Sequence, residues 1–288
     1  MYNVTTMKPK TLALILLMII LGSAIAYAQV PAPPIPVDEI IKKFSEKEKE
    51  FKLARANYTY REVVSVEELT PDDRVRGKFE QTSEIGFDSK GKRTAKVIYA
   101  PQSTLKNLEM TPQDFADIES IQPFVLTSDD IAKYKLTYDG QEKVDEIGCY
   151  VFEVEPKKIE KDQRYFQGKI WVDDRDFQIV KTYGKAVPDI VGKNKDNLFP
   201  RFETYREQID KKYWFPTYTR AVDTLNFQTG PQKIRQIIKY QNYKQFGANI
   251  QLIFGDAVDE NGKPIAPVDN KAPALPPSDK APAIGPKK

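Results

Sequence analysis

An acidic run, Asp173-Asp174-Arg175-Asp176, offers carboxylate oxygens of the kind that calcium prefers. An EF-hand loop also needs oxygen ligands at alternating positions, a central glycine and a distal glutamate, and this run lacks that pattern. Strand-like segments precede and follow it, and aspartate is common in turns because its side chain bonds the local backbone. The run therefore predicts a hairpin turn rather than a metal site.

A second charged group, Glu203, Arg206 and Glu207, contains a pair of carboxylates of the kind used in glycoside hydrolysis. Alternation along a strand places Glu203 and Glu207 on one face and Arg206 on the other. Solvent-facing charge produces the same pattern, so we interpret the carboxylates as part of a wet sheet face. A hydrolase that uses carboxylates alone remains an alternative function, ranked behind the two that are given at the end of this section.

Histidine is absent from the 288 residues, and Cys149 is the single cysteine. The sequence thus excludes Ser-His-Asp and Cys-His catalysis, histidine metal sites, an intrachain disulfide and a cysteine-based zinc site. We interpret Cys149 as a small buried residue of a strand. Nucleophile-elbow, P-loop, dinucleotide-binding and HExxH patterns are missing as well. The sequence predicts a non-enzymatic protein with no catalytic residue, no metal and no cofactor.

The charge of the chain is nearly balanced, with 44 lysines and arginines against 41 aspartates and glutamates and a net charge of +3. Without Lys8 and Lys10, which lie in the export segment described next, the balance is 42 against 41. Binding to nucleic acid needs a basic excess on one face. Nucleic acid is therefore not a predicted partner.

Residues 1–28 have the pattern of a secretory signal peptide. A polar stretch that ends in lysine precedes the apolar run Thr11–Leu21, and Ala26-Tyr27-Ala28 matches a small-residue cleavage site. The apolar run is shorter than the roughly 20 residues of a membrane span, and an uncleaved anchor is the alternative. We expect cleavage after Ala28 and a periplasmic or secreted protein whose contact with a membrane is at most transient.

Two segments after the export signal have helical spacing. Residues 29–36 form a proline-rich lead, and Val37–Ala56 carries apolar residues along one side, as an amphipathic helix does. Thr111 before Pro112 is a helix-capping pattern and predicts a short helix over Pro112–Ile121, with room for a further helical turn at Ser128–Ala132. The last segment, residues 256–288, is rich in proline, alanine and lysine and predicts a disordered tail.

The remainder reads as roughly ten or eleven strands at hairpin spacing, which predicts an antiparallel sheet and a mainly β fold of the α+β class. Val75–Asp88, for example, alternates between apolar and charged residues, as a strand with one wet face does. Asp139-Gly140 predicts a turn between strands over 134–138 and 142–146.

These strands carry many large apolar side chains. A sheet of this size has a larger apolar face than two or three helices can cover. If the sheet curves without closing, its concave face forms an apolar groove suited to an acyl chain or lipid. The alternative is that the same residues are simply a filled core. The predicted ligand-binding residues are Phe79, Ile85, Phe87, Val97, Tyr99, Trp171, Trp214, Phe227, Ile238 and Tyr240.

The order of these elements and several strand sequences resemble a known superfamily. The strands concerned are Gly168–Asp173 with the partner segment Phe177–Lys181, followed by Phe202–Thr204 and Trp214–Thr217. They resemble the LolA/LolB-like superfamily of periplasmic lipoprotein carriers, which includes RseB-type stress sensors, over Ile40 to Phe246.

The resemblance implies an unclosed antiparallel half-barrel, here residues 37–255, with helices on its concave side and no enzymatic activity. It also implies a partner that is a lipid or an acylated lipoprotein. We therefore expect an exported lipid-binding or acyl-chain-binding carrier of the cell envelope. A structural or regulatory module that binds an envelope protein is the alternative, as resemblance to the RseB-type sensors allows.

Overall fold

The computed structural model describes residues 31–88, 91–192 and 196–246. The chain divides into two compact units, Met1–Ala32 and Pro33–Lys288, and the described helices and strands all belong to the second. The predicted signal peptide at 1–28 and the predicted tail at 256–288 lie outside the described residues, as do the start of the proline-rich lead and the end of the half-barrel domain.

Twelve strands are present in the described part of the chain, and all but two short ones belong to one sheet. Their bounds are β1 Tyr58–Leu69, β2 Val75–Phe87, β3 Arg93–Tyr99, β4 Tyr134–Val144, β5 Ile147–Pro156, β6 Tyr165–Asp173, β7 Ile179–Val187, β8 Ile190–Val191, β9 Asp196–Asn197, β10 Phe202–Ile209, β11 Tyr213–Phe227 and β12 Gly230–Gln245.

The large sheet has ten strands in the order β3-β2-β1-β12-β11-β10-β7-β6-β5-β4, and every neighbouring pair is antiparallel. Most neighbours are consecutive hairpins, but β12 returns across the sheet to pair with β1 from Tyr58 opposite Gln245 to Leu69 opposite Lys233. The end strands β3 and β4 do not pair with each other, so the sheet stays unclosed. The predicted fold class, an unclosed antiparallel sheet of about ten strands, is confirmed.

In the described part of the chain, three helical segments accompany the sheet: α1 at Val37–Arg55, α2 at Pro112–Ser120 and a 3-10 turn at Ile131–Lys133. In α1 the apolar stripe buries Ile40, Phe44 and Phe51, as its spacing predicts. In α2 the side chain of Thr111 accepts from the Asp114 amide while the Asp114 carboxylate accepts from the Thr111 amide, a complete capping box. Both predicted helices are confirmed to within one residue at each end.

One predicted turn is wrong. Asp139-Gly140 does not end a strand but lies inside β4, where the register slips between Tyr138 and Gly140. The glycine takes a φ of 105°, which lets the strand bulge without a break. The actual β4–β5 turn lies after Val144, with Asp145 in the left-handed region at φ 53°. An Asp-Gly pair marks either feature, because both need a backbone that tolerates positive φ.

The helices lie on one face of the sheet, which we call the inner face; it carries Val64, Phe152 and Ile238. Helix α1 crosses this face, since Phe44 contacts Phe152 of β5 with ring centroids 5.7 Å apart and Phe51 contacts Phe215 of β11 at 5.1 Å. The opposite side, called the outer face, faces away from the helices.

Packing on the inner face is dense over β5 to β10. The ring of Phe124, from the segment after α2, stacks on Phe166 of β6 at 4.2 Å, and Phe166 also contacts Phe202 of β10 at 6.1 Å. Gly184 of β7 lies directly beneath the Phe166 ring. A Cβ at this position would come within 2.7 Å of the ring, so the close packing requires glycine. The aromatic residues of this half are therefore core.

Candidate functional site

The other half of the inner face is only partly filled. A cavity of about 330 Å³ lies between β1, β2, β11 and β12 on one side and the ends of α1 and α2 on the other. Its volume falls at the lower end of the range for small-molecule sites, about 300–1,000 Å³. Six aromatic residues line it: Phe51, Tyr60, Phe87, Phe215, Tyr240 and Tyr243.

Five of these aromatic rings contact one another in a continuous series, in the order Phe51, Phe215, Tyr243, Tyr60 and Tyr240. Tyr60 of β1 stacks on Tyr243 of β12 with centroids 5.1 Å apart, and Tyr243 contacts Phe215 of β11 at 4.7 Å. The Tyr243 hydroxyl donates to the Pro216 carbonyl at 2.6 Å, which fixes the ring. A fixed apolar wall of this kind binds hydrocarbon without losing side-chain entropy.

Charged residues border the same cavity. Arg93 of β3 donates to Glu62 at 2.9 Å and to Glu119 of α2 at 2.6 Å, so it ties the edge of the sheet to that helix. Lys52 of α1 lies 3.8 Å from Asp130. Arg55, in the last turn of α1, lies over the ring of Phe87, with its guanidinium carbon 6.0 Å from the centroid.

Behind the cavity, a buried ion pair fixes α1 to the sheet. The Arg206 guanidinium of β10 donates to both carboxylate oxygens of Glu48, at 2.9 and 3.3 Å, and to the Phe124 carbonyl. Both side chains of the pair are 1% exposed or less. Burial raises the pKa of Glu48, while Arg206 opposes this shift. The pair therefore holds three elements together: α1, β10 and the segment after α2.

The sequence-predicted ligand residues do not all come together. Phe87 and Tyr240 line the cavity. Ile85 and Ile238 are fully buried in the sheet beside it. Phe79 packs against Phe115 of α2 with centroids 5.8 Å apart, and Phe227 lies in a separate small cluster with Leu225 and Ile234.

The two tryptophans lie on the outer face. Ile170 and Val172 of β6 take the inner positions, so the alternation of the strand turns Trp171 outward. There it joins Cys149, Val151 and Val180, with Trp214 packed beside them, and its indole nitrogen donates to Glu142 at 2.8 Å. The structure thus places both tryptophans away from the cavity.

Val97 and Tyr99 lie on β3, the edge strand, and are 51% and 56% exposed. An edge strand has a neighbour on one side only, so its side chains keep more contact with water. These two residues also lie apart from the cavity.

Most residues of the cavity wall were not predicted, among them Phe51, Arg55, Tyr60 and Tyr243. Phe51 and Arg55 are four residues apart in one helix and therefore share a side of it, which is a signal present in the sequence. Tyr60 and Tyr243 meet because the first strand pairs with the last, and local sequence patterns do not report such a distant pairing.

The acidic run Asp173–Asp176 and Cys149, which the sequence offered as reactive or metal-binding groups, have structural roles. The Asp173 carboxylate accepts from the amides of Arg175 at 2.7 Å and Asp176 at 3.2 Å, which confirms the predicted hairpin turn. Within residues 31–88, 91–192 and 196–246, no group of three or more cysteines, aspartates and glutamates is placed to hold a metal ion. Burial raises the pKa of the Cys149 thiol to about 12, as befits a buried strand residue.

Glu203 lies on the outer face, 3.6 Å from Lys181 and 3.9 Å from Arg220. Arg206 lies on the inner face with Glu48, so the predicted separation of Arg206 from Glu203 is confirmed. The buried state of Arg206 was not predicted.

Helix α2 carries two buried carboxyl groups, those of Asp114 and Asp117. Asp117 lies 3.4 Å from Arg164, and Asp114 accepts from Asn197 at 3.1 Å. Burial raises the pKa of each to about 6, from an ordinary value of 3.8. Glu62, which pairs with Arg93, has its pKa raised by burial as well.

We expect the free energy of unfolding to decrease as the pH rises from about 4 to about 6. A carboxyl group with a higher pKa in the folded chain binds its proton more tightly there, so protonation favours the fold. This contribution is complete below the unfolded pKa and is lost as the pH rises through the folded pKa. Each aspartate contributes on the order of 1–3 kcal/mol. Urea unfolding at a series of pH values measures the change.

The Asp114→Asn variant provides the control, because it should have a shallower pH dependence than the unmodified chain. Asp72 and Asp130 have pKa values below the ordinary 3.8, so their opposing contribution to stability changes mainly below pH 4. Hydrogen bonds from Thr70 and Arg74 lower the pKa of Asp72. Burial raises the pKa of Asp130, but hydrogen bonds from Lys133 and Thr127 outweigh this effect. Stability that increases between pH 4 and 6 would contradict the expectation.

Comparisons with known proteins give structural matches only. No family model and no curated protein matches the sequence. One solved structure that matches is a DUF1329 family protein from Desulfovibrio piger, with 15% sequence identity over 76% of this chain and 97% of that one and a TM-score of 0.41.

A LolA superfamily structure is also among the matches. It is a protein from Nitrosomonas europaea, with 14% identity over 74% of this chain and 94% of that one and a TM-score of 0.33. MucB matches with 10% identity over 70% and 92% of the two chains and a TM-score of 0.24. None of the described helices combines the length and the apolar character needed to cross a membrane.

Proposed function

We propose that this protein is an exported, non-enzymatic binding or carrier protein of the cell envelope that holds a lipid or the acyl chain of a lipoprotein. The observation that carries the proposal is the cavity on the inner face, whose aromatic wall is built from four strands and a helix. The wall residues contact one another and are thereby fixed in place. Their side chains therefore do not collapse into the cavity.

Export is proposed from the signal-peptide pattern of residues 1–28 and places the protein in the periplasm or outside the cell. Transport between membranes requires a carrier that shields hydrocarbon from water. A cavity closed on one side by a sheet and on the other by helices provides that shielding. The resemblance of the sequence to LolA/LolB-like carriers supports the same role.

The charged residues around the cavity support binding rather than catalysis. Arg93 and Glu119 bind each other, and Glu48 is fully buried against Arg206. A general acid or base must reach the substrate proton directly or through one water molecule. Carboxylates that are occupied by arginine do not meet this requirement.

Filling the cavity should abolish binding. Val125 borders the cavity, and a Val125→Trp variant would place an indole in it. We expect its affinity for a fluorescent fatty-acyl probe to fall about tenfold or more because the space is occupied. The stability cost of overpacking is about 1–3 kcal/mol. Probe titration and thermal melting measure the two effects.

The matched control is Val222→Trp, because Val222 lies on the outer face of β11 and is 42% exposed. It should leave probe binding unchanged. Native mass spectrometry of protein purified from the periplasm, with lipid extraction, tests the proposal independently. The proposal fails if no lipid co-purifies and no acyl probe binds the unmodified protein.

A role as a structural or regulatory interaction module is the second candidate. The observation that favours it is edge strand β3, where Val97, Ile98 and Tyr99 are each at least 45% exposed. An unpaired edge with apolar side chains is a surface on which a partner strand can pair. A stable envelope-protein partner that is lost in a Val97→Lys variant, without co-purified lipid, would favour this role.

A further inference from the structure

Arg55 differs from the other cations near the cavity. Arg93 has two carboxylate partners, Arg206 has one, and Lys52 lies near Asp130. Among the described residues, none offers Arg55 a carboxylate within ion-pairing distance. It is therefore the one cation of the cavity wall whose charge is not matched by a neighbouring acid in that part of the chain.

The position of Arg55 is also unusual for an unmatched charge. It is half-buried between the end of α1 and the sheet, and its guanidinium faces the aromatic ring of Phe87. Burial lowers the pKa of Arg55, and Arg206 adds to this effect, while Glu48, Tyr60 and Tyr243 oppose it. Glu48, the acid among these opposing groups, is already bound by Arg206 and therefore does not neutralise Arg55.

A charged group that is withdrawn from water without a partner raises the free energy of the fold, and an anion beside it removes that cost. Guanidinium presents a planar fork of N–H donors that matches the oxygens of a carboxylate or a phosphate. Next to Arg55, the wall continues as the rings of Phe51, Phe87 and Tyr243, which suit hydrocarbon. The cavity therefore combines one anion-binding group with an apolar wall.

We propose that the cavity binds a single-chain amphiphile with an anionic head group, a carboxylate or a phosphate, and that Arg55 binds that head group. The inference rests on the proposed function, because it requires the cavity to hold a ligand, and it specifies which class of lipid enters. Neutral lipids and cationic amphiphiles would lack the interaction with Arg55, and cationic ones would be repelled by it.

Four probes with the same hydrocarbon chain separate these possibilities: dodecanoic acid, dodecyl phosphate, dodecanol and dodecylamine. Titration calorimetry on the unmodified protein should show that the two anionic probes bind more tightly than dodecanol and that dodecylamine binds most weakly. In Arg55→Gln, affinity for the anionic probes should fall by about 10- to 100-fold, the effect of losing hydrogen bonds to a charged group. Affinity for dodecanol should not change.

Two further variants keep the test free of folding effects. Arg55→Lys keeps the charge and should retain part of the preference for anions, although without the planar fork. Arg61→Gln removes an arginine of β1 that forms a surface pair with Glu84 at 2.7 Å, and it should behave like the unmodified protein. Thermal melting of all three checks that they fold.

Each outcome distinguishes the inference from the proposed function. Equal affinity for dodecanoic acid and dodecanol, or equal weakening of all probes in Arg55→Gln, would overturn the head-group inference and leave the cavity function standing. Failure of every probe to bind would overturn both. A larger loss for dodecyl phosphate than for dodecanoic acid would support the inference and identify phosphate as the preferred head group.

Discussion

The Arg206→Met variant is expected to be less stable than the unmodified protein by about 3–5 kcal/mol. Methionine fills a similar space but removes both hydrogen bonds to Glu48, which is completely buried. The carboxylate must then stay charged without a partner or take up a proton, and its pKa rises further in either case. The Phe124 carbonyl loses a donor as well. Urea unfolding at neutral pH measures the loss.

Two comparisons isolate the cause. The double variant Glu48→Met with Arg206→Met should recover most of the stability, because apolar residues of similar volume replace a buried pair at little net cost. Arg220→Met removes an arginine that is 52% exposed and lies 3.9 Å from Glu203, so it should change stability by less than about 1 kcal/mol. A small effect of Arg206→Met alone would show that the pair does not hold α1 on the sheet.

The position of Glu48 in α1 links the ion pair to the cavity. Glu48 lies between Phe44, which contacts the filled half of the inner face, and Phe51, which lines the cavity. Loss of the ion pair should therefore loosen the end of α1 that carries Phe51 and Arg55. Probe binding should weaken in Arg206→Met even at temperatures where the sheet remains folded.

Local periodicity was sufficient to predict most elements of this fold. Strand Val75–Phe87 and helix Val37–Arg55 follow from alternation and from a helical apolar stripe. Helix Pro112–Ser120 follows from its cap. The number of strands and their antiparallel pairing follow from short turns, because hairpins join neighbours in sequence.

The faces of the strands could not be predicted in the same way. Alternation shows that Trp171 and Val172 point to opposite sides but does not say which side the helices cover. The choice depends on long-range packing: Val172 belongs to the cluster that includes Phe44 of α1, and Trp171 does not. Trp171 was among the residues predicted to line the groove, and the structure places it on the outer face.

The buried ion pair between Glu48 and Arg206 could not be predicted from the sequence either. Glu48 occurs in a run of alternating glutamate and lysine that has the composition of a wet helix surface. Arg206 lies between Tyr205 and Glu207 in a strand, and this local sequence does not indicate that its side chain is buried. Their contact joins positions 158 residues apart, so that only the folded chain shows it.

Substitution of Phe166 and Phe87 by alanine should separate core from cavity wall. Phe166 is completely buried and stacks on Phe124, so Phe166→Ala is expected to cost about 3–5 kcal/mol of stability. Phe87 is only partly buried, and Phe87→Ala is expected to cost about 1 kcal/mol. Thermal and urea unfolding measure both.

Binding should change in the opposite order. Phe87 borders the cavity and contacts Arg55, so Phe87→Ala should weaken binding of an anionic acyl probe or alter the chain length that the cavity prefers. Phe166→Ala, measured below its melting temperature, should leave binding nearly unchanged because its ring fills the other half of the inner face. If Phe166→Ala instead abolished binding in folded protein, the two halves would form one continuous site. If Phe87→Ala left binding unchanged, the ligand would lie elsewhere.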